Sequence, residues 1–198
     1  STRTLEDAKY ALACVGCGTA RDLEYVSDHL VKNKKRIALV DLSPELLSVA
    51  KRRVHDLGLA NLVDFFNADC TDLKQIQTLI GNCAFVTCSY CLTMIPDWKL
   101  AVENLTKMIS PGGYLGIVDF TTRFNREHDL IEKLYKAWFR LDGVYFDRNH
   151  VNHLSDSTTP YFYMEARSRV PYTPYYPTHY VYVGQKPTQQ QQRSSAAK

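Results

Sequence analysis

Three short stretches of this 198-residue chain carry residues spaced for ligand chemistry. Val15-Gly16-Cys17-Gly18-Thr19-Ala20 follows the apolar run Tyr10–Val15. Its glycines let a ligand come close to the backbone, and the helix expected next begins with N–H groups that lack partners. Asp41 closes the following apolar run, Arg36–Asp41, with Leu42 beside it. A carboxylate there can accept both hydroxyls of a ribose. Asn67-Ala68-Asp69-Cys70 closes the third run, where Asp69 can accept from an adenine amino group. Each feature also has a plainer reading: two glycines in a turn, an acid capping a helix. Only their succession along the chain makes them a set.

The cysteines offer a second chemistry. Cys14-x-x-Cys17 and Cys88-x-x-Cys91 have the spacing of zinc or redox pairs, with Cys70 and Cys83 elsewhere. Cys14 and Cys88 sit at the ends of apolar runs, however, and Cys17 belongs to the glycine loop. Buried small hydrophobes are therefore expected, and no metal. Six free thiols suit a reducing, cytoplasmic compartment. His150 and His153 stand three apart without an acidic or cysteine companion, which argues against a metal there too.

The elements that must hold these residues alternate. Strands are expected at Tyr10–Val15, Arg36–Asp41, Leu62–Asn67, Cys83–Ser89 and Tyr114–Asp119. Helices are expected after the glycine loop to about Val31, from Ser43-Pro44-Glu45 to Leu57, over Asp72–Ile80, over Asp97–Ile109 and over Asp129–Leu141. Ser43 is an N-cap, Pro44 fits the first helical position, and Gly58 ends that helix. Pro111-Gly112-Gly113 reads as a turn. The alternation predicts an α/β fold, a doubly wound Rossmann-like sheet, mostly parallel, with ligands beyond the carboxyl ends of its strands. Tyr161–Arg167 and Thr178–Lys186 read as an antiparallel C-terminal strand pair. Residues 1–186 form the expected domain, and the Gln-rich residues 187–198 an expected disordered tail.

Composition narrows the function classes. Hydrophobic residues make up 45% and charged residues 23%, enough apolar matter for a core. The net charge of +3 is too slight to argue for nucleic acid, yet it would not repel an anionic membrane. No apolar run of about 18 residues is present, so a soluble chain is expected.

The glycine loop, Asp41 and Asp69 suit either a dinucleotide or S-adenosylmethionine. The dinucleotide fingerprint wants a third glycine two residues after the second, and here Thr19, Ala20 and Arg21 follow Gly18. The run Ser-Tyr-x-Leu-Thr-Met-Ile-Pro after the fourth strand fits the methyl donor instead. VGCGTA, LVDLSPELLSVAKRRV, NADCTDL and PGGYLGIVDF together resemble a class I S-adenosylmethionine-dependent methyltransferase over roughly Tyr10 to Asp119. FVTCSYCLTMIPDW, KAWFRLDGVYFDRNHVNHL and VPYTPYYPTHYVYVGQK are more particular. They resemble the methyltransferase domain of betaine-lipid synthases, which trimethylate the amino group of diacylglyceryl-homoserine.

That resemblance implies S-adenosylmethionine as cofactor. Gly16, Cys17 and Gly18 would cradle its methionine end, Asp41 and Leu42 its ribose, Asp69 and Cys70 its adenine, and Ser89 its sulfonium region. Tyr90 would border the incoming amine. Asp119 ends the fifth strand at the rim, where it could orient that amine or take its proton, and it could equally cap a turn. A quaternary ammonium product favours aromatic surroundings. Tyr90 and Trp138 are candidates, although the dense tyrosines between Tyr161 and Tyr182 also read as strand and core residues. Arg148 and His150, in the expected loop after the AWF helix, could meet a head-group carboxylate or be solvated surface charge. Two positions depart from the family pattern: Cys14 replaces an acid, and Ala20 replaces the last glycine. The helices that precede the first strand in that family are missing, so a partner domain supplying this cover is expected. The expected acceptor is a small molecule or a lipid head group, met by peripheral contact with a membrane. An enzyme with a metabolite or protein acceptor, and a non-catalytic cofactor-binding subunit, stay open as alternatives.

Overall fold

Seven strands form one sheet in the order β3-β2-β1-β4-β5-β7-β6. The computed structural model describes residues 8–121, 130–167 and 177–188; the expected Gln-rich tail falls almost wholly outside them. The strands are β1 (Tyr10–Val15), β2 (Ile37–Asp41), β3 (Val63–Asn67), β4 (Cys83–Ser89), β5 (Ile109–Thr121), β6 (Thr159–Arg167) and β7 (Thr178–Gln185). β1 to β5 pair in parallel, β7 lies antiparallel to β5, and β6 antiparallel to β7. The Rossmann-like expectation and the C-terminal pair are thus both observed.

Burial explains the layering. Ala38 and Val40 of β2 join one apolar cluster with Val86, Leu105, Met108 and Ile117, whereas Ile37 and Leu39 join another with Leu23, Leu30, Val54 and Leu59. Side chains alternate across a strand, so the clusters lie on opposite faces of the sheet. The second cluster is covered by a 3-10 turn (Arg21–Tyr25), α1 (Ser27–Asn33) and α2 (Pro44–Asp56); the first is covered by α3 (Leu73–Leu79), α4 (Trp98–Met108) and α6 (Asn149–Ser157). The remaining helix is α5 (Leu130–Leu141). All five residues of β2 are buried, as an interior parallel strand requires.

Local expectations are met where side chains cap the backbone. Ser43 Oγ accepts from the Leu46 N–H at 3.1 Å, and Pro44 opens α2. Three expectations need correction. The helix after the glycine loop is split, because Ala20 takes a left-handed φ of 57° and only a 3-10 turn follows before α1. Pro111-Gly112-Gly113 is no turn between elements but a bulge inside β5, where the pairing jumps from Cys83↔Ile109 to Phe85↔Tyr114. A Cβ on Gly113 would lie 2.4 Å from the Ala84 carbonyl oxygen, so only glycine fits the bulge. Finally, residues 149–157 form α6 rather than a loop, with Asp147 Oδ1 accepting the Asn149 N–H at 2.8 Å.

Candidate active site

Strand order reverses between β1 and β4, and a cleft of ≈ 670 Å³ opens there beyond their carboxyl ends. Its wall is built from the loops that follow β1, β2, β3 and β4. Gly16 (φ +63°) and Gly18 (φ +52°) both take the left-handed conformation that glycine adopts without cost. A Cβ on Gly16 would stand 2.3 Å from Cys91 Sγ, so the loop rests directly on that thiol; a Cβ on Gly18 would meet, among the described residues and apart from its chain neighbours, no atom within 4 Å.

Asp41 ties this loop to the sheet. It is only 8% exposed, and its Oδ2 accepts the Gly18 N–H at 2.7 Å while Oδ1 accepts the Ser43 N–H at 2.9 Å. Each carboxylate oxygen keeps further acceptor capacity for a ribose hydroxyl. From the other side, Arg53 of α2 donates to Thr19 Oγ1 at 2.8 Å and pairs with Glu24 at 2.8 Å. Asp69 Oδ1 accepts from both the N–H (2.8 Å) and the hydroxyl (2.7 Å) of Thr71, which fixes the turn after β3. Asn104 holds the same turn by donating to the carbonyls of Cys70 and Thr71.

All eight residues expected at the cofactor line the cleft: Gly16, Cys17, Gly18, Asp41, Leu42, Asp69, Cys70 and Ser89. Tyr90 joins them, 44% exposed, with its backbone at φ +51°. Its N–H donates to the Val118 carbonyl at 2.7 Å, and its ring meets Phe120 at 5.1 Å and His179 at 6.3 Å. Four further candidates lie outside the lining. Asp119 is fully buried, and its carboxylate accepts from the Thr93 N–H (3.0 Å), the Thr93 hydroxyl (2.8 Å) and the Phe120 N–H (2.7 Å). Burial raises its pKa above the ordinary carboxylate value. That is the geometry of a buried anchor for the turn Leu92–Met94, not of a base facing the cleft.

Trp138 is 58% exposed on α5, its ring stacked on Tyr135 at 6.0 Å. Arg148 is half-buried at the N-terminal end of α6. His150 is neither surface charge nor a cleft residue. It is fully buried, 4.5 Å from the Trp98 ring, and burial pushes its pKa down to about 4.

Sequence reasoning missed Arg21, Asp22 and Asp97, which also line the cleft. With Asp41 and Asp69 they leave four carboxylates against one guanidinium, an acidic lining that favours a net-cationic ligand. The signal was faint, since charges beside a turn are ordinary. It missed Arg53 and Thr93 as well, because both act across long sequence separations. Cys17 and Cys70 are neutral thiols at neutral pH; burial raises Cys70 to about 12 and Cys17 further. The residues present fit S-adenosylmethionine: open glycine backbone, a bracing carboxylate that can still accept, and a net negative wall for a sulfonium.

The comparisons agree. A profile described as "Methyltransferase domain" matches residues 13–113. The ubiquinone/menaquinone biosynthesis C-methyltransferase UbiE of Shewanella frigidimarina is 25% identical over 121 residues, covering 61% of this chain and 46% of that protein. The matched stretch therefore spans about half the length of such curated relatives. Among solved structures, the BH2331 protein of Bacillus halodurans C-125 superposes with a TM-score of 0.70 at 15% identity, over 89% of this chain and 92% of that one. The N-methyltransferase NodS of Bradyrhizobium japonicum WM9 gives 0.65 at 14% identity, over 92% and 89%. These structures share the fold. The profile match spans more than half of the chain and includes the glycine loop, Asp41, Asp69 and Tyr90, so the chain belongs to the methyltransferase-domain family of class I, whose cofactor is S-adenosylmethionine.

Proposed function

We propose that the protein is an N-methyltransferase that converts the amino group of diacylglyceryl-homoserine to a betaine. The observation that carries this reading is Tyr90, held by β4 and β5 at the rim of the acidic cleft with Phe120 and His179 behind its ring. When bound, S-adenosylmethionine supplies a sulfonium methyl whose C–S bond breaks as the bond to the amine nitrogen forms. The nitrogen must arrive neutral, so each transfer leaves a proton for water, and the third leaves a fixed cation. Positioning then does most of the work, because the reacting atoms need only be held about 3–3.5 Å apart. An aromatic face stabilises amines of rising bulk and charge without demanding a tight polar pocket. The resemblance of SYCLTMIPDW, KAWFRLDG and PYTPYYPTHYVYVG to betaine-lipid synthases supports the lipid acceptor.

The UbiE relatives favour a second reading, an acceptor carbon rather than an amine. Incubating the protein with labelled donor and vesicles containing diacylglyceryl-homoserine, followed by mass spectrometry of the extracted lipid, separates the two. Mono-, di- and trimethylated head groups are expected. Label entering a carbon acceptor or a soluble amine while the lipid stays unlabelled would overturn the lipid acceptor.

A further inference from the structure

We propose that α5 is the element that docks this protein on an anionic lipid surface, an inference that gives the lipid-acceptor reading its place of contact. Leu134, Trp138 and Leu141, spaced four and three apart, share one helical face and are 70%, 58% and 85% exposed. Such residues normally face a core. Here the helix is held instead through Phe139, whose ring meets Phe120 at 5.9 Å and Phe146 at 5.3 Å.

Charge complementarity selects the occupant. Lys133, Lys136 and Arg140 are spaced three and four apart and form a second stripe beside the apolar one, against Glu132 as the helix's one acid. They border a groove of ≈ 450 Å³ with Tyr145, which is itself half-exposed and lies under the Arg140 guanidinium at 5.8 Å. Apolar and aromatic side chains flanked by basic ones are what an interfacial helix presents, the former to the acyl boundary and the latter to phosphates. Two copies joined through the same stripe would bring their basic flanks together, a like-charge cost that a phospholipid surface turns into attraction.

The helix is also well placed. Rings run from the cleft rim to α5 as Tyr90–Phe120–Phe139, at 5.1 and 5.9 Å. The Tyr145 N–H donates to the Thr93 carbonyl at 2.8 Å, joining the segment after α5 to the turn that carries Met94 into the cleft wall. α5 is thus joined to the cleft rim by two ring contacts and one backbone hydrogen bond.

Vesicle flotation tests docking without any methyl transfer. The chain should float with phosphatidylcholine vesicles that contain phosphatidylglycerol and remain largely unbound with phosphatidylcholine alone. In a Trp98→Phe background, the Trp138 emission should shift to the blue on binding. Leu134→Ser and Trp138→Ser should each lower partitioning roughly tenfold, and Lys133→Glu should weaken the preference for the anionic lipid, with far-UV circular dichroism and donor binding unchanged. Failure of the wild type to float, or flotation indifferent to these substitutions, overturns the proposal. So does a concentration-dependent dimer that Leu134→Ser dissolves, which would make a second copy the occupant. If docking depends on the stripe but no label enters diacylglyceryl-homoserine, the docking surface stands and the acceptor falls. If the variants methylate vesicle lipid at the wild-type rate, the acceptor stands and the docking surface falls.

Discussion

Gly18 donates its N–H to Asp41 Oδ2 at 2.7 Å across 23 residues of sequence, so the acid expected at a ribose is also the brace of the glycine loop. Two roles at one side chain predict a split between conservative and non-conservative changes. Asp41→Asn keeps an acceptor for one partner and should weaken donor binding by about 1 kcal/mol. Asp41→Ala should cost roughly 1–3 kcal/mol and loosen the loop as well. Calorimetric titration with S-adenosylmethionine reads the first effect, and hydrogen exchange at residues 16–20 reads the second.

The two loop glycines should not respond alike. Both have positive φ, a cost of roughly 1–2 kcal/mol for any residue with a Cβ. Gly16→Ala adds an overlap with Cys91, at 2.3 Å from Sγ and 2.7 Å from Cβ, whereas Gly18→Ala meets, among the described residues beyond its chain neighbours, nothing within 4 Å. Overpacking adds about 1–3 kcal/mol. Gly16→Ala should lower the urea midpoint well beyond Gly18→Ala, and Cys91→Gly should restore part of the difference.

Tyr90→Ala should act on the acceptor. The ring lines the cleft beside Ser89, while Asp41 and the glycine loop, expected at the donor, line it from other elements. Turnover should fall about 2- to 30-fold, the scale of one desolvated cation–π contact, with later methylations affected most. Donor affinity should stay near wild type. Steady-state rates with mono- and dimethylated acceptors check the ordering.

Thr93→Val should destabilise the fold by roughly 1–3 kcal/mol, because it removes the hydroxyl that donates to buried Asp119 Oδ1. Burial already raises the Asp119 pKa, so the folded state holds this proton more tightly than the unfolded chain. Ionisation therefore costs stability as pH rises from about 3.9 through the raised value. The penalty of Thr93→Val should be larger at about pH 7 than at about pH 4, which paired urea titrations can read.

His150 predicts the opposite slope. Its folded pKa is lowered from 6.5 to about 4, first by burial, which outweighs the opposing effect of Asp147, and least by His153. The folded chain thus binds fewer protons than the unfolded one over that interval. The neutral-imidazole contribution is complete above about pH 6.5 and is lost as pH falls towards about 4, amounting to a few kcal/mol in all. His150→Phe should flatten the decline in urea midpoint between these values.

Much of the donor side was legible in the sequence because it is written in local signals. An apolar run ending in Gly16-x-Gly18, another ending in Asp41, and Ser43-Pro44 opening a helix are each set by backbone sterics or capping within a few residues, and parallel strands must then align their carboxyl ends. The eight residues expected at the donor accordingly converge on one cleft. The acceptor side depended on contacts that no spacing encodes. Asp119 reads equally as a rim carboxylate and as a turn cap, and Thr93, 26 residues away, decides for the cap by enclosing it. His150 looked like surface charge until α6 placed it beneath Trp98. Trp138 looked like part of a cation pocket until α5 turned it outward beside Leu134 and Leu141. Helical periodicity fixes which residues share a face, but which face meets the core is decided by packing against elements distant in the chain, and here Phe139 rather than Trp138 made that contact with Phe120.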